Sequence, residues 1–218
     1  IEGYRNFVTK LWNAARYAQM NGCRPVAAFD PGGCELTVNR WIAGEGAAAE
    51  RRLATAPEDY RFNDAANAVY RFTWHTFCDW YLEFTKPILA GGDQAAGAET
   101  RATTAWVLDQ ILHLMHPIMP FVTEELWEEL APDGRGRAGP LITAAWPHFG
   151  PALERADARA EMDWVVRLVS EIRTVRSEMN VPPSVEFPLL VKDAGDETKR
   201  RLATHGDLIC RLARLDGI

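Results

Sequence analysis

The 218-residue chain contains no apolar run approaching the roughly 20 residues that cross a bilayer as a helix. Its first residues, IEGYRNF, have neither the basic start nor the apolar core of a signal peptide. Cysteine is scarce. Cys23, Cys34, Cys78 and Cys210 stand far apart, and no two share Cys-x-x-Cys spacing. That argues against a zinc site and for reduced thiols in a cytoplasmic protein. The chain has no Gly-x-Ser-x-Gly elbow, no Walker-type phosphate loop and no Gly-x-Gly-x-x-Gly turn. A di-iron bundle needs Glu-x-x-His on two helices, and no histidine here has Glu three residues before it. His113 and His116 lie three apart beside Pro117, with no carboxylate helper, so they read as packed or hydrogen-bonded side chains. The sequence therefore predicts no catalytic residue, no metal and no membrane partner.

What is present describes a globular protein. Hydrophobic residues make up 47% and charged residues 25%, enough for one large domain plus a small appendage. The net charge of −6 argues against a generic nucleic-acid coat. Local field matters more than the total, however. Residues 1–25 set Arg5, Lys10, Arg16 and Arg24 against Glu2 alone, and residues 198–214 set Lys199, Arg200, Arg201, Arg211 and Arg214 against Asp207. Acids gather elsewhere, in Glu124, Glu125, Glu128 and Glu129.

The stretch Phe62 to Pro87, FNDAANAVYRFTWHTFCDWYLEFTKP, carries Phe62, Ala66, Val69, Thr73, Phe77, Trp80 and Phe84 in steps of three and four. That spacing predicts one face of an α-helix, ended by Pro87, with Trp80 in the core. Its aromatic content places it at the centre of a helical bundle. The periodicity predicts a first helix from about Glu2 to Met20, buried along Tyr4, Phe7, Leu11, Ala14 and Ala18 and stopped by Asn21-Gly22. Residues 22–36 read as a loop, followed by a helix capped at Thr37, in which Gly44 and Gly46 are unexpected. Ala56-Pro57 breaks the chain again.

GGDQAAGA at 91–98 reads as a flexible connection, followed by a helix over 100–116 burying Ala105, Leu108, Leu112 and Met115. Pro117 and Pro120 interrupt it, and another helix starts at Thr123. PDGRGRAGP at 132–140 reads as a solvated loop, in which Arg135 and Arg137 could touch a polyanion. The next helix, 153–180, buries Val165, Leu168, Ile172, Val175 and Met179. VEFPLLV at 185–191 alternates as a strand does, with Pro188 marking an edge or a bend, and two short helices follow, the first closed by Gly206. No second convincing strand exists, and one strand cannot satisfy its own backbone. This predicts partner strands past Ile218 or in another chain. The missing initiator Met points the same way, toward a piece cut from a longer chain.

The outward side of the first helix carries Asn6, Lys10, Asn13 and Tyr17 in one row, with Thr9 and Arg16 alongside. Asparagines weaken a helix and add no charge, so a plain solvated face is a poor account of them. Amide, cation and aromatic together suit splayed single-stranded bases, which stack on rings and bond along their edges.

GYRNFVTKLWNAARY, LTVNRWI, RFNDAANAVYRFTWHTFCDWYLEFTKP, HPIMPFVTEELW and IRTVRSEMNVPP occur in the order found in class I aminoacyl-tRNA synthetases, and RLARLDGI fits the same pattern. The chain resembles the C-terminal anticodon-binding region of that family, and within it the valine-specific branch. The resemblance implies a mainly α fold: a helical bundle of the class I synthetase anticodon-binding type over 1–150, then a connecting long helix and a partial α+β region over 151–218, cut before a C-terminal arm. It implies tRNA anticodon recognition as a fragment of an enzyme that joins valine to its tRNA isoacceptor using ATP and Mg²⁺.

The family's catalytic motifs are missing, so the fragment is expected to be inactive alone and to hold no cofactor of its own. Its partners would be the tRNA and the catalytic, editing and C-terminal arm domains of the same parent chain. By matching motif, the resemblance assigns anticodon reading to Asn6, Lys10, Asn13, Arg16, Tyr17 and Lys86. Arg173 and Arg176 would hold the tRNA backbone or pair with acids inside the protein. The competing readings are the isoleucine or leucine counterpart of this domain, a helical protein-interaction scaffold, and a free-standing enzyme, for which no nucleophile, base or metal constellation is present.

Overall fold

A computed structural model describes residues 2–55, 60–131 and 137–218, with side chains from Arg5 onward. The side chain of Tyr4, the break at Ala56-Pro57 and Arg135 lie outside them. The fold is mainly α. The chain forms two compact units, Ile1–Arg155 and Ala156–Ile218.

In the first unit, α1 spans Glu2–Met20 and buries Phe7, Leu11, Ala14, Ala15 and Ala18. Gly22, at φ +69°, lets the chain turn back so that the Cys23 amide reaches the Ala18 carbonyl at 2.9 Å. Helix α2, Thr37–Thr55, starts with Thr37 as its first residue and not its cap. The amides just ahead of it, Glu35 and Leu36, donate to the Glu99 carboxylate at 2.9 and 3.0 Å. The glycines of α2 admit close neighbours: a Cβ at Gly44 would lie 2.9 Å from the Leu153 carbonyl, and one at Gly46 would lie 3.3 Å from the Phe72 ring. Gly44→Ala is therefore expected to destabilise the unit by about 1–3 kcal/mol, despite alanine's better helix propensity. Urea unfolding checks this, and a stabilised variant would show that the 151–153 turn yields freely.

The aromatic stretch is continuous helix in three parts: α3 over Phe62–Arg71, a π-helical segment over Phe72–Tyr81, and α4 over Leu82–Ala90. A step of four residues overshoots an α-helical turn by about 40°. In a π-helix each bond spans five residues, so the turn is wider and a step of four comes close to closing it. Val69, Thr73, Phe77, Tyr81 and Thr85 accordingly follow one another by fours and are all completely buried. Trp80 is not in the core: it is half-buried on the flank, and Tyr81 holds the inward position. Phe62 is exposed. Pro87 sits inside α4, which runs on to Ala90. Proline there removes a single helical bond close to the helix end, while the Thr85 hydroxyl bonds back to the Leu82 carbonyl at 2.8 Å.

Helix α5, Gln94–Met115, begins inside the stretch expected to be a flexible connection. Asp93 accepts from the amides of Ala95 and Ala96, both at 3.0 Å, and so caps it. It is buried along Ala105, Val107, Leu108, Ile111, Leu112, Leu114 and Met115. It packs on α1, α2, α3 and α4, so it shares the centre with the aromatic stretch. The Tyr81 hydroxyl donates to Asn39 Oδ1 at 2.9 Å and lies 3.3 Å from Thr104 Oγ1; Asn39 in turn donates to Glu99 at 2.8 Å and to Thr100 at 3.1 Å. This network ties α2, the π segment and α5. Burial holds the Tyr81 phenol well above its ordinary pKa, so it remains a neutral donor.

Helix α6, Pro120–Glu129, starts at Pro120, which serves as a first-turn residue and does not interrupt. It also packs on α5. Beyond it, Arg137 is drawn inward. Its guanidinium meets both Asp109 oxygens at 2.7 and 2.9 Å, its Nε donates to the Trp127 carbonyl, and it lies 3.7 Å over the Trp127 ring. Arg137 thus ties itself to α5 and α6. His113 Nδ1 lies 2.8 Å from the Asp109 carbonyl oxygen, and His116 Nδ1 lies 2.8 Å from Thr123 Oγ1.

The second unit pairs α7, Ala156–Glu178, with α8, Asp196–Ala213. The inward face of α7 runs through Ala158, Met162, Val165, Val169, Ile172 and Arg176, while Val175 and Met179 are exposed. One helix, α8, replaces the two expected: it passes straight through Gly206 and ends at Arg214, which takes the left-handed conformation at φ 57°. Glycine costs a helix only about 1 kcal/mol, which packing on α7 offsets. Strand β1, Phe187–Pro188, has a partner within the chain after all. It lies parallel to β2, Leu215–Gly217, with Phe187 beside Leu215 and the Leu189 amide on the Gly217 carbonyl at 2.9 Å. Three residues are too few to show alternation, so the sequence offered no sign of β2.

Candidate nucleic-acid interface

Helix α1 buries one face and leaves the row of polar side chains outside. Asn6, Asn13 and Arg16 are exposed; Lys10 and Tyr17 are half-buried. The π segment lies against α1 and supplies the rest of the surface. The Lys10 ammonium pairs with the Asp79 carboxylate and sits 4.2 Å from the centre of the Trp74 ring. His75 Nδ1 lies 3.2 Å from the other Asp79 oxygen. Trp74 is held from behind by a stack: its ring is 5.7 Å from Tyr70 and 6.0 Å from Phe7, and those two are 5.0 Å apart. Tyr17 is fixed through its hydroxyl, 2.9 Å from Thr85 Oγ1 at the end of the buried stripe.

The structure therefore brings Asn6, Lys10, Asn13, Arg16 and Tyr17 onto one helix face and adds Trp74, His75 and Asp79 from the neighbouring element. Sequence reasoning missed this second wall, although His75 and Asp79, four apart in an otherwise aromatic stretch, stand out there. Lys86 stands farther along on α4, paired with Glu83.

Arg173 and Arg176 belong to the second unit, and both donate to backbone carbonyls there. Arg173 donates twice to the Leu212 carbonyl, at 3.0 and 3.1 Å. Arg176, only 7% exposed, donates to the carbonyls of Arg214, Pro182 and Val185 at 3.0, 3.0 and 2.7 Å. Its guanidinium lies 5.0 Å over the Phe187 ring. The carbonyls at the end of α8 have no helical partner, and these arginines supply one. Arg176 is a structural group.

Aromatic rings, amides that both donate and accept, and the exposed Arg16 guanidinium thus share one surface. Burial pushes the thiol of Cys78, beside this surface, up to about 12. Among the described residues, no group of His, Cys, Asp and Glu side chains could hold a metal ion.

Residues 39–191 match the family model described as the anticodon-binding domain of tRNA ligase. The chain belongs to that family. It is 55% identical to a valine–tRNA ligase of Caulobacter vibrioides, over all of this chain and 24% of that protein. It is 51% identical to that of Brucella suis, again over all of this chain and 24% of the relative. The valine–tRNA ligase of Rhizobium meliloti is 52% identical, over 100% of this chain and 23% of its own length. The chain thus spans about a quarter of the length of these curated relatives.

Proposed function

We propose that this chain reads the anticodon of the valine tRNA isoacceptor, as part of a cytoplasmic valine–tRNA ligase that joins valine to tRNA with ATP and Mg²⁺. The observation that carries the proposal is the α1 face, where base-edge donors, a cation and fixed rings occupy one surface, in a chain similar over its full length to valine–tRNA ligases. Asn6 and Asn13 would meet base edges, Tyr17 and Trp74 would stack, and Arg16 would meet phosphate; base stacking is worth about 1–3 kcal/mol per base. Lys10, bound to Asp79, offers its remaining N–H groups to a base. Lys86 would act at the margin of the site. ATP and Mg²⁺ would be held by other parts of such an enzyme, as would the catalytic, editing and arm functions. The division of labour would follow the bundle, about 1–150, and the smaller region, about 151–218.

Binding of an anticodon stem-loop, with the middle and third anticodon bases changed in turn and salt varied, tests the proposal. Arg16→Ala should weaken all the stem-loops alike and reduce the salt slope by about one. Asn13→Ala should cost about 1–3 kcal/mol on one base position only. Neither should lower the melting temperature, since both side chains are exposed and alanine favours the helix. Binding that ignores every base change would reduce the surface to a phosphate contact.

A further inference from the structure

One surface of the first unit takes no part in the α1 site. Phe121, in the first turn of α6, is 91% exposed. Glu124, Glu125 and Glu128 follow it at spacings that keep them on the same side of the helix. Opposite stands the single turn Leu141–Thr143, whose Ile142 is 72% exposed. Glu124 fixes that turn by accepting the amides of Leu141 and Ile142 at 2.7 and 3.4 Å. Phe121, Ile142, His116, Pro120 and the three glutamates enclose a shallow pocket of about 400 Å³. In its floor, His116 Nε2 is buried and makes no hydrogen bond; its nearest acid, a Glu124 oxygen, is 3.9 Å away.

Each of these features is unfavourable for a free surface. A phenylalanine and an isoleucine in water gain nothing, and buried polar atoms nearly always have a partner. Glu124 and Glu128 are like charges four apart, which weakens a helix. Glu125 and Glu128 make no ion pair among the described residues. All four features are relieved together by one kind of occupant. We propose that this pocket is a protein-docking surface for a basic helical segment carrying an apolar anchor flanked by arginine or lysine. The anchor covers Phe121 and Ile142, the cations meet Glu125 and Glu128, and a hydroxyl or carbonyl of the segment bonds His116. The same carboxylates repel phosphate, so RNA is excluded from this face, and it is independent of the anticodon-reading proposal.

The test uses the whole chain and a synthetic amphipathic peptide with leucines on one face and arginines on the other, followed by calorimetry and amide chemical shifts. Saturable binding that shifts residues 116–128 and 141–143 is expected. Phe121→Ser should weaken it at least tenfold without changing the melting temperature. Glu125→Gln with Glu128→Gln should weaken it and flatten its salt dependence. Absence of saturable binding overturns the proposal, as does binding unchanged in Phe121→Ser or matched by a glutamate-for-arginine peptide. A stem-loop RNA that shifts the same residues would overturn the assignment to protein.

Discussion

Tyr81→Ala is expected to lower the unfolding free energy of the first unit by about 3–5 kcal/mol, the range for removing a fully buried aromatic side chain. Two costs combine. The ring leaves a cavity beside Phe77, whose ring centre lies 5.7 Å away. The lost hydroxyl also leaves Asn39 Oδ1 without its donor in a fully buried position. Tyr81→Phe separates the two, and should cost about 1–3 kcal/mol through the orphaned amide oxygen alone. Trp80→Ala is the control. A larger loss at Trp80 than at Tyr81, measured by urea unfolding, would mean that the stretch is ordinary α-helix in solution and that the π register is wrong. Because the π segment also positions Trp74, His75 and Asp79, such a result would weaken the second wall of the binding surface too.

Arg176→Met should have the next largest effect, about 2–4 kcal/mol on the second unit, because three carbonyls lose charged donors at once. Methionine keeps much of the stem and its packing, so the loss reads the guanidinium. Amide exchange should quicken most around Val185–Phe187 and Arg214, the places this arginine joins. Stem-loop binding at a temperature where the variant is folded should be unchanged. A variant with native stability and weakened RNA binding would restore the backbone-contact role and remove the structural one.

Such outcomes depend on how the wheel of each helix is turned. Phe7, Leu11, Ala14 and Ala18 were legible because α1 keeps an ordinary α-helical period from end to end. So was the row Asn6, Lys10, Asn13 and Tyr17, since whatever lies opposite a clean apolar stripe faces out. The aromatic words, with their order along the chain, also carried the family resemblance without any coordinates. Where the period itself changes, that reading fails. Between Phe72 and Tyr81 each turn holds more residues, and the inward place passes from Trp80 to Tyr81.

The sequence by itself determined the mainly α class, the first helix, its polar face and the kinship to anticodon-binding domains. These rest on local periodicity and on side-chain type, which are properties of neighbours along the chain. Only the tertiary structure decided the rest. It paired Lys10 with Asp79, joined Asn39, Tyr81 and Thr104, turned Arg137 and Arg176 inward, and set β2 beside β1. Each of these joins residues distant along the chain or answers a buried group whose bonding need arises only after packing. A buried carbonyl or carboxylate must find a donor wherever the fold brings one, and no one-dimensional pattern records which donor that is.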